Sequence, residues 1–194
     1  MVRMPALPPT FGAVVLTGGT GVRMGGADKA AVAFRGRTLL DHALAATVEA
    51  NEVVVVGPPT AGVRTVREEP AGGGPAAGLL AGRDALSSEG VAPEWLVALA
   101  VDMPMVTPAT VRRLLVAADG HDGAVLVDAE GHRQLCVALR TSRLDDVRPA
   151  DARGLGFFRL LAGLDLAPVV AQGAEASDLD TWADVEALES PDRT

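Results

Sequence analysis

The sequence predicts an α/β fold in which a mostly parallel, mixed sheet is covered by helices on both faces. Three observations predict it. Uncharged runs rich in Val, Leu and Ala recur at 12–17, 53–56 and 95–101, as strands buried on both sides do. Segments with apolar residues at helical spacing separate them. Two further runs, 123–128 and 132–140, are joined by a tight turn and read as a hairpin, which makes the sheet mixed. With 48% apolar residues, no internal repeat and no long low-complexity stretch, the chain reads as one compact domain, 1–194, with a core from about 11 to 189 and short flexible ends.

The elements follow in order. Residues 12–17 (GAVVLT) form the first strand. Thr38 is placed to cap a helix, with Asp41 three residues on and Leu39, Leu40, Ala43, Leu44 and Thr47 along one face. The four valines at 53–56 stop abruptly at Gly57, Pro58 and Pro59. A short strand is expected at 63–66. The glycine-rich segment 70–78 (PAGGGPAAG) runs into a helix from about Pro75, a residue suited to a first helical position. The strand 95–101 (WLVALAV) ends in Asp102, Met103 and Pro104. Thr107 and Pro108 then open a helix that turns Val111, Leu114, Leu115 and Ala118 inward. In the hairpin, Asp128 and Gly131 fit the first and fourth positions of a type I turn. A helix near 155–163, a strand near 166–171 and a helix capped by Thr181 with Asp184 complete the chain.

Composition excludes several classes. Acidic residues outnumber basic ones 25 to 17, giving a net charge of −8, and no basic run compensates, which argues against a nucleic-acid partner. The single cysteine, Cys136, leaves no internal disulfide and no zinc-type cluster, and reads as a small buried hydrophobe. No apolar stretch reaches membrane-spanning length and residues 1–11 lack the pattern of a signal peptide, so the expectation is a cytoplasmic protein without membrane association.

The chemistry concentrates after the first strand. Leu16 and Thr17 lead into Gly18, Gly19, Gly21, Arg23, Gly25, Gly26, Asp28 and Lys29. Glycines let the main chain approach a ligand, successive N–H groups cradle phosphate oxygens, and Arg23 and Lys29 supply the positive charge that a triphosphate requires. On composition alone, a solvated connection remains the alternative. Two known patterns do not fit. Lys29 precedes Ala30, where a P-loop needs Ser or Thr, and Met24 stands where the third glycine of a dinucleotide fingerprint belongs.

Asp102 closes an uncharged strand, and ligands of open α/β sheets sit at the carboxyl ends of strands. A carboxylate there suits Mg2+, which takes few protein ligands and completes its shell from phosphates and water. The bland reading is a turn or helix cap, and for Asp128 the turn reading is preferred. His42, His121 and His132 are scattered and read as structural or solvated. No nucleophile constellation is visible, which suits an attacking group that is itself a substrate phosphate, ionised at neutral pH and needing no general base.

The residues Leu16-Thr17-Gly18-Gly19 and Arg23-Met24-Gly25-Gly26-Ala27-Asp28-Lys29 resemble the signature of the molybdenum cofactor guanylyltransferases. Gly74-Pro75-Ala76-Ala77-Gly78, Asp102-Met103-Pro104 and Asp180-Thr181-Trp182-Ala183-Asp184 follow in that family's order, so the resemblance spans nearly the whole chain. It implies a three-layer α/β/α Rossmann-like nucleotidyltransferase fold, GTP as donor and molybdopterin, or a related phosphorylated acceptor, as recipient, with pyrophosphate released. By it, Leu16, Thr17, Gly18, Gly19, Gly21, Arg23, Lys29, Glu69 and Gly74 belong to the nucleotide site, Arg23, Lys29 and Asp102 to catalysis, and Asp102 with Asp178 to the Mg2+ site. Cofactor-delivery proteins are the partners implied.

Departures from the family's pattern are informative. Thr17 replaces the usual Ala, Gly57 stands where Asn is common, and Glu69 stands near where an Asp commonly contacts the base. The double glycine favours guanine over cytosine. Asp178 and Asp180 stand where amides are usual, as extra metal ligands, a changed acceptor pocket, or plain turn and cap residues. A cytidylyl- or sugar-phosphate nucleotidyltransferase, and a nucleotide-binding accessory protein without turnover, are the alternatives.

Overall fold

A computed structural model describes residues 10–18, 28–69, 71–86 and 92–189. The first strand, β1 (Phe11–Leu16), is buried along its whole length. A 3-10 turn, Lys29–Ala31, precedes a small antiparallel ribbon, β2 (Ala33–Phe34) and β3 (Arg37–Thr38). Helix α1 (Leu39–Ala46), strands β4 (Glu52–Val56) and β5 (Arg64–Val66), helix α2 (Pro75–Leu86) and strand β6 (Trp95–Ala100) follow. Helix α3 (Pro108–Ala117), the hairpin β7 (Gly123–Val127) and β8 (Arg133–Arg140), helices α4 (Thr141–Asp146) and α5 (Phe157–Leu160), strand β9 (Leu166–Val170) and helix α6 (Trp182–Glu189) complete the order.

Seven strands form one sheet in the order β5-β4-β1-β6-β8-β7-β9. Strands β4 and β6 flank β1 in parallel, pairing Val14 with Val54 and Ala98. Only β8 runs against its neighbours, which sets the hairpin inside the sheet and confirms that the sheet is mixed. The alternation of β1 explains the layers: Phe11, Ala13 and Val15 face a core shared with α1, α3 and α6, while Val14 and Leu16 face one shared with α2, α4 and α5. Cys136 lies wholly inside, and burial pushes its thiol up to about 12, as expected of an inert hydrophobe.

Local signals match the elements they announce. The Thr38 hydroxyl accepts from the Asp41 amide while the Asp41 carboxylate accepts from the Thr38 amide, a reciprocal cap for α1. Thr107 caps α3 with Pro108 in its first turn, and Val111, Leu114, Leu115 and Ala118 are buried as anticipated. Gly131 donates to the Asp128 carbonyl at 3.1 Å, closing the hairpin turn, with φ of +87° at Gly131. Thr181 and Asp184 cap α6 reciprocally.

Three departures have physical reasons. The first strand ends at Leu16, one residue short of the expected end, where the Thr17 amide makes the last ladder bond to the Val56 carbonyl and β4 itself stops at Val56. The helix expected near 155–163 is one turn long, since Ala162 and Leu164 bond three residues back, as a 3-10 chain does, before Gly163 gives way to β9. The β2–β3 ribbon and α4 are too short for a periodic signal and emerge only from packing.

Glycines on α2 let that helix approach the sheet. A Cβ at Gly82 would lie 2.5 Å from Val14 Cγ1 and 3.1 Å from Val56 Cγ2, and β-branched strand side chains have little freedom to yield. Gly82→Ala is therefore expected to lower stability, because overpacking costs about 1–3 kcal/mol and exceeds the roughly 1 kcal/mol that Ala gains over Gly in a helix. Urea unfolding checks this: the midpoint should fall at unchanged slope, and a rise would show that the sheet yields to the added methyl.

Candidate active site

The carboxyl ends of β1, β4 and β6 open onto a cleft of about 400 Å3, within the ordinary size range of small-molecule sites. Its walls include Leu16, Gly18, Lys29, Glu68, Gly72, Gly74, Pro75 and Asp102. Helix α2 starts at the cleft with Pro75, and the positive end of its dipole suits an anionic ligand.

Lys29 reaches the cleft because Asp28 caps the short turn that carries it, accepting from the Ala30 amide at 3.0 Å. Asp102 is set by a turn after β6 in which Val101 donates to the Leu16 carbonyl at 3.0 Å and the buried Met103 to the Ala100 carbonyl. The loop before α6 is stitched to the same place, for the amide of the fully buried Leu179 donates to the Asp102 carbonyl at 2.9 Å.

The outcome is an ammonium shared between two carboxylates. Lys29 Nζ donates to Asp102 Oδ2 at 2.8 Å and to Asp180 Oδ1 at 2.6 Å, with the lysine side chain only 11% exposed. Burial works against the Lys29 charge, but the hydrogen bonds and charges of Asp102 and Asp180 outweigh it and raise the lysine above its ordinary value. Asp178, on the outer side of the same loop, has its carboxyl pushed above the ordinary range, first by desolvation and then by the negative charge of Asp180 and Asp102. Two carboxylates thus share one ammonium, and the Asp178 carboxyl lies within reach of their field, leaving an excess of negative charge that a hard cation would relieve.

The chemistry of that donor set fits Mg2+, with oxygen ligands only, and the place between Asp102 and Asp180 is taken by the Lys29 ammonium. Asp178 lies one residue from the buried Leu179 and feels both charges. A second acidic group, Asp128, Glu130 and His132, brings its ligand atoms within 4.8 Å of one another on the exposed hairpin turn. There Asp128 accepts from the Glu130 and His132 amides and pairs with the His132 ring, so the turn itself consumes the carboxylate.

The residues anticipated for the site divide as follows. Lys29, Asp102, Leu16, Gly18 and Gly74 line the cleft. Gly19, Gly21 and Arg23 lie outside the described residues. Thr17 sits at the rim, but its hydroxyl is committed to the Val56 carbonyl at 2.9 Å. Glu69 is displaced from the expected position. It lines an adjoining groove of about 530 Å3 with Arg148, Asp151 and Arg153, while Glu68 faces both spaces and accepts from the Gly72 amide. Of the adjacent acids Glu68 and Glu69, only Glu68 is among the residues that line the cleft. The pairing of Asp180 with Lys29 spans 151 residues and was not anticipated; the one hint is the Asp-x-Asp spacing of 178–180.

The unusual Thr17 and Gly57 prove to be one feature. A Cβ on Gly57 would lie 1.9 Å from Thr17 Oγ1 and 3.3 Å from its Cβ. The threonine hydroxyl fills the space that a side chain at 57 would need, so the two departures accompany each other.

Two outcomes are expected. Gly57→Ala should destabilise the chain by about 1–3 kcal/mol, as overpacking does, and much less in a Thr17→Ala background. Thermal melts of the four proteins measure the coupling, and additive losses would place the strain in the backbone at 57 instead. For Asp178, whose folded carboxyl titrates above its unfolded value of 3.8, ionisation opposes folding, so its contribution to stability is present below 3.8 and is lost as pH rises from there through the raised folded value. Asp178→Asn should accordingly raise the melting temperature at neutral pH without added divalent ions, with the gain shrinking as pH drops towards 3.8.

The model of the MobA-like NTP transferase domain matches residues 13–167. The molybdenum cofactor guanylyltransferase of Bradyrhizobium sp. (strain ORS 278) is 33% identical over 147 residues, 71% of this chain and 69% of that protein. The crystal structure of molybdopterin-guanine dinucleotide biosynthesis protein A from Archaeoglobus fulgidus has the same fold, with a TM-score of 0.71 at 21% identity over 93% of this chain and 97% of that one. A Mycobacterium tuberculosis H37Rv protein crystallised in complex with manganese has it too, with a TM-score of 0.64 at 20% identity over 95% and 100%. On the sequence match, with the same fold in the solved structures, the chain belongs to the MobA-like NTP transferase family.

Proposed function

We propose that this chain is a molybdenum cofactor guanylyltransferase, transferring GMP from GTP to molybdopterin with release of pyrophosphate. The family match supports the reaction, and the observation that ties it to these residues is the Lys29 ammonium held between Asp102 and Asp180 at the edge of the cleft.

In this reading GTP lies in the cleft with its phosphates towards residues 18–29 and the start of α2. By the resemblance, Gly18, Gly19 and Gly21 are assigned to phosphate binding and Arg23 and Lys29 to neutralising the triphosphate. Lys29 turns from its carboxylates to the phosphate when the nucleotide enters, exchanging one set of negative partners for another. Glu68 at the cleft wall, with Glu69 beside it, is the acid placed to accept from a guanine N–H. Leu16 and Gly74 supply contacts to the nucleotide, and Thr17 shapes the rim through its bond to Val56.

Asp102, with Asp178 and Asp180, would hold Mg2+, which when bound neutralises charge on the triphosphate and the departing pyrophosphate. The acceptor phosphate oxygen forms a bond to the α-phosphorus. The bond from that phosphorus to the bridging oxygen breaks, and the electron pair leaves with pyrophosphate. The nucleophile is already ionised at neutral pH, so no histidine is needed. His42 contacts the Phe34 carbonyl, and His121 and His132 pair with Asp165 and Asp128. The work left to the protein is alignment and charge stabilisation.

Incubation with GTP, Mg2+ and molybdopterin should release pyrophosphate, with CTP and UTP poorer donors. Lys29→Ala and Asp102→Ala should each lower kcat by about 10²–10³-fold or more, the scale for losing one preorganised charge at a transition state. Failure to release pyrophosphate with any of the three nucleotides, despite GTP binding, would favour an accessory protein. Full activity of Asp102→Ala would remove the metal site.

A further inference from the structure

Residues 171–181, which carry Asp178 and Asp180 from β9 to α6, contain no helix or strand, yet Asp180 is set against the Lys29 ammonium. The loop is held at three points. Ala171 donates to the Val127 carbonyl at 2.8 Å at its start, and Leu179 donates to the Asp102 carbonyl at its end. Between them lies Glu175, an acid only 7% exposed.

Its carboxylate takes donors from two elements. Arg113 on α3 reaches it through Nη2 at 2.6 Å and Nη1 at 3.0 Å, the Thr110 hydroxyl donates to Oε1, and the Gln172 amide donates to Oε2 at 2.8 Å. Burial opposes the charge, but Arg113 and Thr110 outweigh it and hold the carboxyl below its ordinary value, so the group is ionised where it sits. Thr110 also completes the cap of α3 with Thr107, five residues after Asp102. The knot therefore joins the element that follows Asp102 to the loop that carries Asp180. Buried ion pairs contribute little net stability beside apolar packing, and their better attested use is to specify one arrangement among several.

We propose that Glu175 is a positioning residue for Asp180: its knot with Arg113 and Thr110 sets the 172–180 loop so that Asp180 meets Lys29 beside Asp102. The inference rests on the role given above to that carboxylate pair. Glu175 itself touches no substrate.

The test is a double-mutant cycle on pyrophosphate release, with Glu175→Gln, Asp180→Asn and both together, each followed against GTP and against Mg2+. If Glu175 works through Asp180, Glu175→Gln lowers kcat by about 10-fold or more, since a displacement near 1 Å can cost ~100-fold. It also raises the Mg2+ concentration for half activity, while KM for GTP stays within about twofold, and the double variant is no worse than the poorer single one. Arg113→Lys, which keeps the charge and loses the fork, should reproduce the effect if Glu175→Gln folds poorly. Multiplying effects, or a lowered melting temperature with kcat and Mg2+ dependence unchanged, would overturn the proposal. Asp180→Asn with wild-type kinetics would overturn it together with the assignment of Asp180. Absence of pyrophosphate release from the unmodified protein would instead sink the proposed reaction.

Discussion

A lysine ammonium shared by two carboxylates needs three backbone segments to converge within a few ångströms, and much of the architecture serves that convergence. Lys29 comes from a capped turn after β1, Asp102 from the end of β6 beside it, and Asp180 from the loop before α6. Parallel pairing of β1 with β6 brings the first two to the same edge of the sheet. The third arrives on a loop in which Leu179 is buried and its amide closes onto the Asp102 carbonyl. Each charge is partly desolvated, so each one unpaired would be costly; together they form a site whose remaining negative excess suits a hard cation.

The cleft beside this cluster is shaped by what is small. Gly78 and Gly82 on α2 let that helix lie close over Leu16, Val14 and Val56, which keeps its first turn at the carboxyl edge. Gly57 leaves room for Thr17, whose hydroxyl and amide both close onto the Val56 carbonyl and join the ends of β1 and β4. An added methyl at either place would press on a strand-end residue that shapes the cleft, so packing and ligand geometry are the same constraint there.

The fold was legible where residues act locally. The valine run at 53–56, the capping pairs Thr38–Asp41 and Thr181–Asp184, and Pro108 after Thr107 each mark an element that formed as anticipated. Asp102 and Lys29 stood out because an acid ending an uncharged strand and a cation closing a glycine-rich loop have few other uses together. The choice between Glu68 and Glu69 was not legible. Adjacent acids carry the same local signal, and only the tertiary structure shows Glu68 at the cleft wall, accepting from the Gly72 amide.

The sequence by itself determined the layers and the strand ends where chemistry sits, because hydrophobic period, caps and breakers act over a few residues. The tertiary structure decided the partners: Asp180 on Lys29, Glu175 in the grip of Arg113 and Thr110, and Thr17 against Gly57. These contacts join residues dozens of positions apart. Their existence depends on how helices and loops settle on the sheet, through packing that no short window of sequence contains.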